Sequence, residues 1–269
     1  MWTYLIQSMN TAGDREATMR AEATTRLAEL LKPVLAEGRM GKKQFIAEIG
    51  DSLTRGEQIV VALNMGNAGN LQRLADGRMW TGEQIGAVTR NLSRADWQFV
   101  QQVWDFFESY RPQIAAKERR VMGKEPNWVE PQALTVQPKD GGIPVTLRGG
   151  YFPIVYDARE SGRAERQADA EAAKQMMKGA FVAATTRRSF TKTRAEEVSG
   201  RPLLLTWDAL FRGANDVIHD LAWHEWVIDA NRIVKNDQVD KLLDSTVAEI
   251  DQSKRKAMYV ELQNLFADL

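Results

Sequence analysis

The segment from Ser93 to Tyr110, SRADWQFVQQVWDFFESY, constrains the fold more than any other part of the chain. Two stripes of large apolar residues recur in it at helical spacing, Trp97, Val100, Trp104 and Phe107 in one and Phe99, Val103, Phe106 and Tyr110 in the other. Two adjacent stripes cover about half of the helix circumference, so this helix must be buried on several sides. Burial of each large aromatic side chain contributes on the order of 1.5–3 kcal/mol. The sequence therefore predicts a multi-helix core built around this segment.

Further helices are predicted on both sides of it. Capping boxes, in which a hydroxyl and a side chain three residues later satisfy backbone N–H groups, are predicted at Thr54–Glu57, Thr81–Gln84 and Ser93–Asp96. Residues 14–37 favour a helix that Pro33 kinks or breaks. Residues 237–269 are expected to form one or two more helices, with five apolar residues on one face: Val239, Leu242, Leu243, Val247 and Ile250. We expect a mainly α fold, with a helical arm or subdomain over residues 1–50 and a compact multi-helix domain over 51–269.

The composition changes between residues 123 and 157, which are rich in proline and glycine. Two short runs of β-favouring residues flank the turn signal PKDGG within this span. They predict a small β-hairpin near residues 133–147, which we expect to hold the only strands of the chain. A two-stranded ribbon is not stable alone, so it must lie on the helices.

The composition also excludes several classes of protein. Lys+Arg and Asp+Glu both total 36, so the formal net charge is zero and no whole-protein field attracts DNA or an anionic membrane. The absence of cysteine excludes disulfide scaffolds and cysteine-based catalysis, and two histidines leave few ligands for a metal. No apolar run approaches the ~20 residues of a transmembrane helix, and the N-terminus lacks the pattern of a signal peptide. We expect no catalytic residue, no metal, no cofactor and no membrane span.

The octapeptide HDLAWHEW, from His219 to Trp226, contains both histidines. On a helix they lie about 140° apart around the axis and do not converge on one ion. Asp216, Asp220 and His224 do follow one side of a helix, which leaves a metal-dependent enzyme as one hypothesis. However, His224 also falls in an apolar seam, which favours a structural histidine, with Leu210, Ala214, Val217, Leu221 and Ile228. A pH-sensitive contact is a third hypothesis, because histidine titrates near neutrality.

The turn LNMGNAGNLQRL, residues 63–74, contains two glycines and three asparagines. Small residues with free N–H groups before a helix can hold a phosphate. Asparagine and glycine are also what a tight turn between helices demands, since both tolerate positive φ. We expect a structural turn, with a phosphate site as the alternative.

A basic stretch, TTRRSFTKTR, contains Arg187, Arg188, Lys192 and Arg194 around Phe190. Cations for a phosphate backbone beside an aromatic ring for stacking are typical of nucleic-acid binding. Two acidic residues follow directly, and they favour a solvated or salt-bridged linker instead. Both interpretations stay open at the level of sequence.

The order of the motifs resembles that of a known family. ALNMGNAGNLQRL, ADWQFVQQVWDFFESYRPQIAAKERRVMGKEPNWVEP, GGYFPIVYD, RRSFTKTR and VIHDLAWHEWVIDANRIV follow one another over about residues 50–250. This succession resembles a helical module of very large phage and prophage polyvalent proteins, which are virion-associated and are ejected with the DNA into the host. The resemblance implies a mostly helical module without catalytic residues.

The expected function is therefore that of a non-enzymatic structural or interaction module of a phage-derived virion or ejection protein. Its expected partners are other parts of that large protein or other virion components, and its expected location is the virion or, after delivery, the host cytoplasm. Two alternatives remain, a nucleic-acid-binding module that uses residues 187–194 and a metal-dependent enzyme around Asp216, Asp220 and His224.

Overall fold

The computed structural model describes residues 6–38, 40–157, 202–234 and 237–268, which are mainly helical. Among these residues, no helix is long and apolar enough to cross a membrane. The helices are α1 (Ser8–Ala36), α2 (Arg55–Leu63), α3 (Ala68–Arg78), α4 (Gly82–Thr89), α5 (Arg94–Glu108), α6 (Arg111–Met122), α7 (Asp208–Val234), α8 (Asp237–Ala248) and α9 (Gln252–Asp268). The strands are β1 (Lys43–Ile46), β2 (Asp51–Thr54), β3 (Leu134–Val136) and β4 (Val145–Leu147). The predicted fold class, mainly α with a small β-hairpin, is confirmed.

The chain divides into two compact units. The smaller unit consists of Met1–Ala21 with Ile218–Leu269, and the larger unit is Glu22–Val217. Helices α1 and α7 therefore each contribute residues to both units. The division predicted from the sequence, residues 1–50 and 51–269, stays a prediction.

Helix α5 lies at the centre of the larger unit. All eight residues of its two predicted stripes are buried. The ring of Phe106 meets those of Phe107 and Tyr110 edge-on, with centroid distances of 5.3 and 5.5 Å, the geometry that aromatic quadrupoles favour. The guanidinium of Arg26 from α1 lies 5.1 Å from the centre of the Phe106 ring. The prediction that this segment is the core of the fold is confirmed.

The three predicted capping boxes all form. Thr54, Ser93 and Thr81 each accept a bond from the backbone N–H three residues later, and the side chain at that later position returns a bond to the cap. Each box satisfies two of the N–H groups that the first turn of a helix leaves without partners. The starts of α2, α4 and α5 were therefore predicted to the residue.

The two hairpins differ in how well they were predicted. Strands β3 and β4 pair antiparallel, with Leu134 opposite Leu147, inside the predicted range 133–147. Strands β1 and β2 also pair antiparallel, so the expectation that residues 133–147 hold the only strands is wrong. Only Ile46 of β1 and Leu53 of β2 are buried, which leaves too short an alternation for a sequence pattern to reveal.

In the smaller unit, α8 and α9 pack on each other. Val239 and Leu262 are buried, and three partly buried residues surround them: Leu242, Leu243 and Leu265. Val247 and Ile250, which the sequence placed on the same face, are 83% and 92% exposed. The prediction is wrong for Ile250, which lies beyond the end of α8, whereas Val247 stands in the last turn of that helix.

Candidate functional site

The asparagine-rich turn after α2 is buried, and its side chains form a connected set of hydrogen bonds. The Asn70 amide nitrogen donates to the carbonyl oxygen of Phe152 at 2.7 Å and to the Asn64 side-chain oxygen at 3.3 Å. The Asn64 amide donates to the carbonyl oxygen of Val60 at 2.8 Å. Asn67 caps α3, because its side-chain oxygen accepts the N–H of Asn70 at 2.9 Å, and its amide donates to Gly150. The three side chains thus bind parts of the chain up to 83 residues apart.

In the same turn, the backbone of Gly66 contacts the backbone of Gln132 and Gly150. The carbonyl oxygen of Gly66 accepts two N–H bonds of 2.8 Å, one from Gln132 and one from Gly150. A β-carbon at Gly66 would lie 2.6 Å from the carbonyl oxygen of Gly150 and would overlap the ring of Trp104. The indole N–H of Trp104 donates to the carbonyl oxygen of Leu63 at 2.9 Å. Only glycine fits at position 66, and the reason is space rather than backbone conformation.

This arrangement favours the structural interpretation of the turn. A phosphate site needs backbone N–H groups that point to solvent at the start of a helix. Here the N–H groups of Asn70 and Leu71 are bonded to Asn67, and the asparagine side chains are almost fully buried. The turn therefore packs the end of α2 and the start of α3 against residues 149–152.

The octapeptide from His219 to Trp226 is held by a residue that sequence reasoning missed. The Glu16 carboxylate of α1 lies 3.0 Å from Nδ1 of His219 and accepts the indole N–H of Trp223 at 2.6 Å. Arg20, one turn later on α1, donates to the same carboxylate at 2.7 Å. Burial alone raises the pKa of Glu16, but the bonds from Trp223, His219 and Arg20 outweigh it and lower that pKa below its ordinary value. About two hundred residues separate the partners, so no local signal indicates the contact.

His224 lies near a different carboxylate from His219 and is more deeply buried. It is buried, like Leu210, Ala214, Val217 and Leu221 of the predicted seam. Its Nδ1 lies 3.8 Å from a carboxylate oxygen of Asp220. In the described part of the chain, no three His, Cys, Asp or Glu side chains come together in a way that could hold a metal ion, so Asp216, Asp220 and His224 do not form such a group. The geometry supports the structural interpretation of His224.

The basic stretch TTRRSFTKTR is the remaining candidate site from the sequence. Arg187, Arg188, Lys192 and Arg194 lie outside the described residues. Their role as a nucleic-acid-binding segment stays a prediction.

A polar network that the sequence did not indicate surrounds Arg55, the first residue of α2. The guanidinium donates to a carboxylate oxygen of Asp96 from Nε at 3.1 Å and from Nη2 at 2.5 Å. Nη1 donates to the carbonyl oxygens of Val34 and Gly38, and Nη2 also donates to the Glu37 carboxylate at 2.6 Å. These bonds use all five N–H donors of the side chain. Arg55 therefore joins the end of α1 to the start of α5.

Comparison with protein-family models, with curated proteins and with solved structures gave no match to this chain. The resemblance to phage polyvalent proteins therefore stays a prediction based on the order of the sequence motifs.

Proposed function

We propose that this chain is a non-enzymatic structural or interaction module of a large phage-derived protein, carried in the virion or delivered with the DNA into the host. The order of the sequence motifs suggests this class. Within that class, the module serves as a folded spacer and contact surface, and its partners are other segments of the large protein or other virion components.

The observation that carries the proposal is the bonding of Asn70. The composition of the turn that contains it leaves a phosphate site as an alternative, yet the Asn70 amide donates to Asn64 and to Phe152 within the fold. The same holds for the imidazole of His219 and the indole of Trp223, which lie against Glu16. These polar side chains thus serve the internal architecture, as expected for a module whose role is mechanical.

Exposed apolar side chains supply contact area for partners. Phe45 on β1 is 65% exposed and Ile143 in the turn between β3 and β4 is 81% exposed, both in the larger unit. In the smaller unit, Val247 and Ile250 are exposed apolar residues that can contact a partner. Large apolar side chains that the fold leaves in water stabilise a complex when a partner covers them.

Particle proteomics tests this proposal. Phage particles are induced from the strain that carries the gene, purified by density gradient and digested for mass spectrometry. We expect peptides of this chain to co-purify with the capsid and tail proteins and to exceed those of abundant host cytoplasmic proteins. Particles that contain the other structural proteins but no peptide of this chain would refute the virion assignment.

A further inference from the structure

A cavity of about 580 Å³ opens in the larger unit beside the Arg55 network. It is bordered by the segment after α1, by β1, by the first turns of α2 and α5, and by the turn between β3 and β4. Its volume lies within the range of sites that bind small molecules, about 300–1,000 Å³. None of the functions considered above uses this cavity.

The charged side chains of the lining fall into two sets, the ion pairs of Arg55 and a group of three lysines. Two carboxylates, those of Glu37 and Asp96, are both bonded to Arg55. The remaining cations are Lys42, Lys43 and Lys139, which are exposed and form no ion pair with any residue that the structure describes. The lining carries four cationic and two anionic side chains, a net charge of +2, in a chain whose formal net charge is zero. The cavity thus concentrates positive charge locally.

The backbone holds these lysines at the rim. The N–H of Lys139 donates to the carbonyl oxygen of Leu92 at 2.9 Å, and the Asp140 side chain accepts the N–H of Arg94 at 2.9 Å. The carbonyl oxygen of Met40 accepts the N–H of Gly56 at 3.1 Å, which fixes the chain just before Lys42. The two hairpins are therefore anchored to the starts of α5 and α2, and their lysines face a preformed space.

We propose that this cavity binds an oligophosphate anion through the ammonium groups of Lys42, Lys43 and Lys139. Lysine binds phosphate oxygens as a point charge with up to three donors, and several lysines favour a ligand with several phosphate groups. Arg55 takes no part in binding, because its five donors already have acceptors. The described lining contains no aromatic side chain, so the ligand is held by its phosphates and not by stacking of a base.

The test is a calorimetric titration of the whole chain with sodium tripolyphosphate at about 50 mM salt, where charge screening is weak. The variant Lys42→Gln/Lys43→Gln/Lys139→Gln should bind at least about tenfold more weakly, since each lost ammonium removes charge-assisted bonds. A matched control, Lys32→Gln/Lys124→Gln/Lys254→Gln, removes three exposed lysines outside the cavity and should keep the wild-type affinity. Equal thermal melts of the two variants establish that both are folded.

A competition arm separates the two sources of such phosphates. If a short oligodeoxythymidylate displaces tripolyphosphate from the wild-type chain, the natural ligand is the phosphate backbone of a nucleic acid. If it does not displace tripolyphosphate, the ligand is a free oligophosphate. Failure of the wild-type chain to bind tripolyphosphate, or equal affinities for the two triple variants, would overturn the proposal.

Discussion

Replacement of Arg55 by glutamine should strongly destabilise the larger unit. The guanidinium contacts the buried Asp96, whose side chain is only 3% exposed, through two bonds of 3.1 and 2.5 Å. It also binds two carbonyl oxygens at the end of α1 and the carboxylate of Glu37. Glutamine retains part of the length of the side chain but neither the charge nor the five donors.

The size of the expected loss of stability follows from the Asp96 carboxylate, which stays buried when the guanidinium is removed. Removal of one partner from a buried ion pair costs about 3–5 kcal/mol, because the other charge stays buried without compensation. Asp96 keeps two bonds from Ser93, from its N–H at 2.9 Å and from its hydroxyl at 3.1 Å. These bonds offset part of the cost, so we expect Arg55→Gln to lower the free energy of unfolding by about 3 kcal/mol.

Urea unfolding followed by tryptophan fluorescence measures this difference, with Arg90→Gln as the matched control. Arg90 also pairs with a carboxylate, that of Glu48 at 3.0 Å, but the two side chains are 68% and 42% exposed. An exposed pair contributes less than about 1 kcal/mol. A double-mutant cycle of Arg55→Gln with Asp96→Asn should give a coupling energy of about 1–3 kcal/mol. Equal losses for Arg55→Gln and Arg90→Gln, or a coupling energy near zero, would refute the reasoning.

Three further predictions concern the turn and the octapeptide. Gly66→Ala should lower the free energy of unfolding by at least about 1–3 kcal/mol in urea titrations, because the added methyl group overlaps the Trp104 ring. Glu16 has a lowered pKa in the folded state, so its contribution to stability is present above its ordinary pKa of 4.5 and is lost as the pH falls through the lowered value. Glu16→Gln should therefore reduce the melting temperature at neutral pH and flatten its decline in acid. His224→Leu should still fold, at a cost below about 2 kcal/mol in urea, since His224 lies in an apolar seam.

Each of these changes has a control or a contrary outcome. A β-carbon at Gly86, an exposed position in α4, would meet no atom within 4 Å, so Gly86→Ala should be neutral or stabilising. Similar effects at Gly66 and Gly86 would contradict the steric argument. An acid profile of Glu16→Gln identical to that of the unaltered chain would contradict the assignment of Glu16. Loss of a bound metal in His224→Leu would reverse the structural interpretation of His224.

The elements with strong local signals were predictable from the sequence. The apolar stripes of α5 and the three capping boxes depend on residues within a few positions of one another, so spacing alone indicates them. The β1–β2 hairpin escaped prediction because each strand has four residues and buries only one, Ile46 or Leu53. Patterns that short do not distinguish a strand from a loop.

The candidate sites were less predictable, because their partners are distant in sequence. The composition of the turn at Asn70 indicates a tight turn, but it does not indicate that Phe152 receives the amide bond. The octapeptide drew attention through its histidines, although the residue that organises it, Glu16, lies in α1. The lysines of the cavity come from two hairpins, one of which was not predicted at all. Tertiary pairing of this kind leaves no periodic trace in the sequence.

The hydrogen-bond donors to the carbonyl oxygen of Gly66 lie far along the chain, which affects the order in which structure forms during synthesis. The two donors are the N–H groups of Gln132 and Gly150, and the acceptor for the nearby Asn70 amide is Phe152, 82 residues further on. At about 5–20 residues per second, the ribosome needs on the order of 4–16 s to make that intervening stretch. Until then the polar groups of the turn between α2 and α3 lack these later partners and stay hydrated. The turn therefore gains its full set of hydrogen bonds only after residue 152 has emerged, and a nascent chain arrested before that point keeps this turn open to water.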